Sequence, residues 1–287
     1  MKKKVPEFFF AVLTFLTACQ NANSQSFAQD IQSGTEGLPK GHFQSEVAGR
    51  PKIHSAAVVE FFTSAGCSSC AEVDKELSRI KKDAERKKLP VYILSCHVDY
   101  DKEAGVHDKF ANAACTEQQS RYSSYLKRGR LGVPHLIVNG AVSAPSFIPL
   151  VLDSLVARGT KKPFTRSVEI SAVADSGLKK DGPAGALIRV HYRVGGYKSR
   201  RNGRFDLLRL ILIRAERSKV VGESDREDVN PVEAIETLRV EENIEGTLDF
   251  PLADPSSAKT LKVLAAVHDG RTYEVIAASM VNVSDRE

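Results

Sequence analysis

Tryptophan is missing from this chain, and only two methionines and five cysteines occur among its 287 residues. So low a cysteine content excludes a disulfide-dense scaffold and lets each thiol be weighed singly. No charge of one sign dominates, since 41 Lys and Arg against 36 Asp and Glu leave a formal net charge of +5. Acids lie scattered among the bases, and no basic face carries interleaved aromatics, so no nucleic acid is expected as a partner. There is no internal repeat. At 42% hydrophobic and 27% charged residues, the chain has what a packed core needs, in one large domain or two ordinary ones.

The N-terminus speaks to location. "MKKK" is a positive region, and "FFFAVLTFL" at 8–16 is an apolar run of nine residues, too short for a membrane-spanning helix. "LTAC" follows, ending at Cys19. This resembles a bacterial lipobox, which implies cleavage before Cys19 and lipidation of its thiol, with residues 1–19 as the signal segment. The alternative is an ordinary secretory signal cut after Ala28. Either way the mature protein is expected outside the cytoplasm, where disulfides persist. Gln20 after the cysteine does not resemble an inner-membrane retention signal, so the expected site is the outer membrane, facing the periplasm. Residues 20–50 are rich in Gln, Ser and Gly and read as a flexible tether.

The folded part is expected in two pieces. Over residues 51–160 the pattern gives strand 56–64, a helix from Cys67 to about Lys88, strand 89–98, helix 116–129, a hairpin at 133–143 and helix 146–159. That order predicts an α/β thioredoxin-like domain. Residues 161–287 are a series of alternating or β-branched runs with Gly, Asp and Asn turns, and predict an all-β, sandwich-like domain.

"FFTSAGCSSC" carries the chemistry. Cys67 and Cys70 lie where a strand gives way to a helix, and a thiolate there is favoured by the helix dipole and the unpaired N–H groups. Cys67, nearer the end, is the expected attacking thiolate and Cys70 the resolving thiol. A zinc site would want a second Cys/His pair at ligand spacing, which the sequence lacks. Pro134 opens a strand before Asn139-Gly140; the resemblance to thioredoxin-like proteins, which carry a cis X-Pro bond opposite such a cysteine pair, implies a cis bond that leaves neighbouring backbone free for substrate, the alternative being an ordinary trans bond. Glu60, a carboxylate within an apolar strand, is either a proton relay behind the cysteines, as the resemblance to the thioredoxin superfamily implies, or an edge residue in solvent.

Taken together, "VVEFFTSAGCSSC", "LSCHVDYD", "TEQQSRYSSYL" and "VPHLIVNG" resemble a bacterial family of secreted thioredoxin-like proteins, domain-of-unknown-function family 1223. The chain departs from the family pattern at Ala71-Glu72, where Pro-Pro is usual, at Tyr100-Asp101, where Tyr-Trp is common, and at His135, where Gln is usual. An imidazole at His135 close to Cys67 would steady a thiolate or ligate a metal. Cys96 and Cys115 are additions to that pattern and are expected either to pair, closing the loop between them, or to be buried hydrophobes. His97, Asp99 and His135 are the candidate metal ligands, with His107 nearby; the alternative is a polar cluster shaping the groove.

The sequence therefore predicts an extracytoplasmic thiol–disulfide oxidoreductase. Its expected partners are protein thiol or disulfide substrates and a separate redox partner, with a lipid anchor in the membrane and no organic cofactor. The competing expectation is an envelope binding protein, copper- or zinc-handling or an adaptor, whose Cys67–Cys70 bond is structural.

Overall fold

In the computed structural model of the protein the described residues are 54–100, 105, 107–127, 131–144, 149–175, 186–196, 205–215, 218–219, 227–252 and 255–285. The chain divides into two compact units, Met1–Gly49 and Arg50–Glu287. The first, with Cys19 and most of the tether, lies outside the described residues, so the signal segment and lipobox remain expectations. Among the described residues no helix is long and apolar enough to cross a membrane.

Strand β1 (Ala57–Thr63) is buried along its whole length, as its β-branched and aromatic run requires. Helix α1 (Cys70–Lys87) returns the chain to strand β2 (Val91–His97), which pairs with β1 in parallel. Val73, Leu77, Ile80 and Ala84 form the buried stripe of α1. No glycine ends that helix; Lys88 takes the left-handed conformation instead, and its N–H reaches Ala84 O and Glu85 O. Helix α2 (Ala113–Tyr125) follows, then strand β3 (His135–Val138), antiparallel to β1, and strand β4 (Val142–Ala144). Between β3 and β4, Asn139 and Gly140 both have positive φ, and a Cβ on Gly140 would sit 2.3 Å from Tyr273 O, so only glycine fits. Helix α3 (Pro149–Gly159) completes this half.

The α2 boundary differs from the sequence expectation. The helix begins at Ala113, not Thr116, because Asn112 supplies the cap by accepting from Ala114 N–H at 2.9 Å. The Thr116 hydroxyl serves Asp99 instead.

The remaining strands are β5 (Ser167–Asp175), β6 (Ala186–Gly195), β7 (Asp206–Arg214), β8 (Ser218–Lys219), β9 (Glu227–Asp228), β10 (Val232–Val240), β11 (Ile244–Leu252), β12 (Leu261–Asp269), β13 (Val275–Asn282) and β14 (Ser284–Asp285). They build one sheet in the order β10-β7-β12-β13, a second in the order β11-β6-β5-β14, and a β8–β9 ribbon. The facing sides of these two sheets share a core that includes Ile188, Val190, Leu208, Leu210, Phe250 and Val263. The other side of the β10-β7-β12-β13 sheet is buried as well. Ile211, Ile213, Leu264 and Val275 pack with Val58, Phe62, Leu94, Ile137 and Tyr122. With both faces covered, β7 and β12 read as nearly continuous apolar runs.

This arrangement corrects the expected fold class. The protein is mainly β, with three four-stranded sheets among the described residues, not an α/β thioredoxin-like domain followed by a sandwich-like one. The physical reason is that β1–β4 do not close a core of their own. One face is covered by α1 and α3, and much of the other is covered by residues of the β10-β7-β12-β13 sheet.

Candidate redox site

Cys67 and Cys70 form a disulfide, with Cα atoms 5.4 Å apart. The turn that carries them follows β1 directly. Cys67 N–H donates to Ser64 O at 3.1 Å, and Cys70, the first residue of α1, donates to Cys67 O at 3.1 Å. Cys70 is sealed from solvent, whereas Cys67 is 8% exposed and flanked by exposed Gly66, Ser68 and Ser69. Ser69, at the helix N-terminus, makes no capping hydrogen bond with its side chain. Both cysteines belong to the cluster that includes Val59, Phe61, Leu77 and Leu136, with Val133 packed against it. The Val133–Pro134 peptide bond is cis.

Cys96 and Cys115 form a second disulfide, with Cα atoms 5.3 Å apart and both residues fully buried. They pack with Phe62, Leu94 and Tyr122, on the face of the first sheet away from α1. The two disulfides are thus on opposite sides of one sheet.

Strand alternation also decides Glu60. Val59 and Phe61 face the cysteines, so Glu60 points away from them with Val58 and Phe62. It is buried, accepts from Tyr122 Oη, and accepts from Arg209 Nη1 at 2.9 Å. Neither the relay nor the solvent-edge expectation survives this placement. Burial opposes the Arg209 charge, but the Glu60 carboxylate overrides it and keeps the guanidinium charged. Burial and the Glu60 charge push the Tyr122 phenol well above its ordinary pKa. His268 Nε2 lies 3.3 Å from Arg209 Nη1; burial and that charge push the imidazole down to about 4.

The candidate metal ligands are dispersed. His135 Nε2 is 2.9 Å from Ser143 Oγ and its ring lies against Phe62, away from α1, so it does not approach Cys67 as expected. Asp99 accepts from the Thr116 hydroxyl at 2.5 Å. His107 is exposed. Among the described residues no three His, Cys, Asp or Glu side chains are grouped as metal ligands.

His97 belongs to a different constellation. Its Nδ1 lies 2.7 Å from Asp108 Oδ2, and its Nε2 is 3.3 Å from Asp228 Oδ1, an ion-pair contact rather than an aligned hydrogen bond. Burial works against the imidazolium, yet the hydrogen bond to Asp108 and the contact with Asp228 outweigh it and raise the pKa to about 9. For Asp108 too, burial is outweighed, here by His97, and its pKa is lowered. Asp108 and Asp228 escaped the sequence reading because each lies in a segment without periodicity. The available signal was a histidine at the end of a buried strand, which needs an acidic partner if charged.

A cleft of about 470 Å³ lies near Val58 at the other end of β1, lined by Val138, Val142, Leu155, Arg158 and Lys161 among others; none of its lining residues is a cysteine.

No curated protein matches the chain. Among solved structures, a structural-genomics target from Agrobacterium tumefaciens is 22% identical, covering 82% of this chain and 98% of that one, with a TM-score of 0.55. HBP35 of Porphyromonas gingivalis is 15% identical, covering 82% of this chain and 77% of that one, with a TM-score of 0.54. These likenesses concern the fold. Residues 58–268, which take in both disulfides and strands from each of the three four-stranded sheets among the described residues, match DUF1223, described as a protein of unknown function, and the chain belongs to that family.

Proposed function

We propose that the protein exchanges disulfides with protein thiols outside the cytoplasm, through Cys67 and Cys70. The observation that carries this reading is the asymmetry of the pair. One sulfur belongs to a residue flanked by exposed positions just before α1, and the other belongs to the buried first residue of that helix. A thiolate released at such an end is stabilised by the helix dipole. In the oxidising direction a substrate thiolate attacks Cys67 Sγ, and the Cys67–Cys70 bond breaks as the mixed disulfide forms. Cys70 leaves as thiolate and takes up a proton. A second substrate thiolate then attacks the substrate sulfur, and Cys67 leaves. Two electrons pass from a substrate dithiol to the cysteine pair, and a partner protein carrying a disulfide removes them. The reverse sequence reduces a substrate disulfide. Pro134, whose neighbour Val133 packs against the cluster that holds the pair, is the proposed element that orients substrate backbone. No organic cofactor is needed, because the electrons reside on sulfur. Lipidation at Cys19 and an outer-membrane position facing the periplasm complete the proposal.

The low exposure of Cys67 favours a second reading, a binding or adaptor protein with a structural disulfide. A Cys70→Ser variant separates the two. Exchange predicts a substrate trapped on Cys67 as a reducible mixed disulfide. Absence of any adduct, even with a small disulfide probe, supports the structural reading.

A further inference from the structure

Asp108 Oδ2 stands opposite two nitrogens at once, Ala65 N–H at 2.8 Å and His97 Nδ1 at 2.7 Å. Ala65 is two residues before Cys67, in the turn that presents the disulfide. Asp108 Oδ1 accepts from Phe110 N–H at 3.0 Å, so the carboxylate is itself held by the loop it comes from. The Phe110 ring lies 5.5 Å from the His97 ring. The side chains of His97, Asp108 and Asp228 are 1%, 4% and 1% exposed. Three segments therefore meet around the Asp108–His97 pair: the cysteine turn on Asp108, the loop closed by Cys96–Cys115 that carries Asp108, and strand β9 on His97.

Packing alone does not ask for this cluster. Well-packed apolar residues of similar volume cost nothing in desolvation, whereas buried carboxylates need partners. His97 and α1 lie on the same side of the first sheet, the side on which Cys67 and Cys70 pack, since Ile93 of β2 shares their cluster and, four residues before His97, shares its strand face. We infer that Asp108 and His97 are positioning residues for the Cys67–Cys70 pair, fixing the turn from Ser64 to Cys67 and with it the Cys67 sulfur. The inference rests on the exchange reading of that pair. The raised His97 pKa agrees with it, because the imidazolium lets Asp108 stay ionised while it accepts from Ala65. Neither residue touches the reacting sulfurs; each acts through the turn.

The test uses the full chain, reduced with excess dithiothreitol. Iodoacetamide labelling of each cysteine is followed near pH 6 by mass spectrometry, and the reduction potential of the pair is read in glutathione buffers. In Asp108→Ala the Cys67 labelling rate is expected to fall at least tenfold with Cys70 still protected, and the potential to shift. Asp108→Asn has one acceptor oxygen for the three donors that the carboxylate now serves and is expected to fall between wild type and Asp108→Ala. A merely structural role predicts that Cys70 becomes as accessible as Cys67 in both variants. Should Asp108→Ala fail to fold, Asp108→Asn decides, with at least a threefold change expected in the Cys67 rate. Unchanged Cys67 rate and potential in a folded variant overturn the inference. If instead wild-type Cys67 labels no faster than Cys70, the exchange reading itself has failed.

Discussion

Arg209 Nη1 donates to Glu60 Oε2 across 2.9 Å, with the two side chains 0% and 1% exposed. One belongs to β7 and the other to β1, so this ion pair joins two sheets whose strands are 149 residues apart in sequence. A buried pair of this kind adds little net stability, but removing one partner strands a charge. Arg209→Leu is therefore expected to cost about 3–5 kcal/mol in urea unfolding, and Glu60→Leu combined with Arg209→Leu to recover most of that. A single-variant loss below about 1 kcal/mol would show that Glu60 finds another partner.

The same pair bears on the division expected near residue 160. A fragment of residues 50–160 keeps Glu60 and loses Arg209, and its Phe62 face loses Ile211, Leu264 and Val275. Such a fragment is expected to show no cooperative thermal transition. A sharp transition with native far-ultraviolet dichroism would reinstate the two-domain division.

Replacing Cys96 and Cys115 together by Ala releases a closed loop of sequence separation 19. In the chain-entropy model the loss is about 3 kcal/mol. Equilibrium unfolding under non-reducing conditions checks it, with a loss under about 1 kcal/mol as the contrary outcome. Because the loop carries Asp108, slower labelling of reduced Cys67 is expected as well.

Two buried histidines give the stability curve opposite slopes. His97 has a folded pKa of about 9 against an ordinary 6.5, so the folded state holds the extra proton between those values. Its contribution is complete below 6.5 and is lost as pH rises through 9, with a slope of at most about 1.4 kcal/mol per pH unit. His268 is depressed to about 4, so its contribution is complete above 6.5 and is lost as pH falls toward 4. Thermal midpoints are expected to peak near neutral pH. In His97→Gln the alkaline limb should flatten; an unaltered limb would mean that His97 is not charged in the fold.

Local signals were legible in the sequence. The spacing of Cys67 and Cys70, the Asn139-Gly140 turn and the candidate pairing of Cys96 with Cys115 depend on short stretches of chain, where residue type nearly dictates geometry. The strands of the second half were also readable, because their runs alternate or are β-branched. Glu60 shows where such reading stops. Alternation says that Glu60 and Phe61 face opposite ways, but not which layer lies on each side, and the layer over Glu60 is supplied by distant β7. The fold class was misjudged for the same reason: nothing local to β1–β4 reveals that another sheet covers their second face. Asp108 and Asp228 become visible only when their segments converge on His97.

The first sheet lies between the two sulfur pairs, with Cys67–Cys70 on one side and Cys96–Cys115 on the other. Disulfide interchange needs an attacking sulfur in contact with the bond it breaks, and an intact sheet denies that contact. In the folded protein the two pairs therefore keep separate redox histories. Under the exchange proposal, the pair before α1 is the one that an external thiol opens and resets. The fully buried pair keeps the oxidation state of the compartment in which the chain folded.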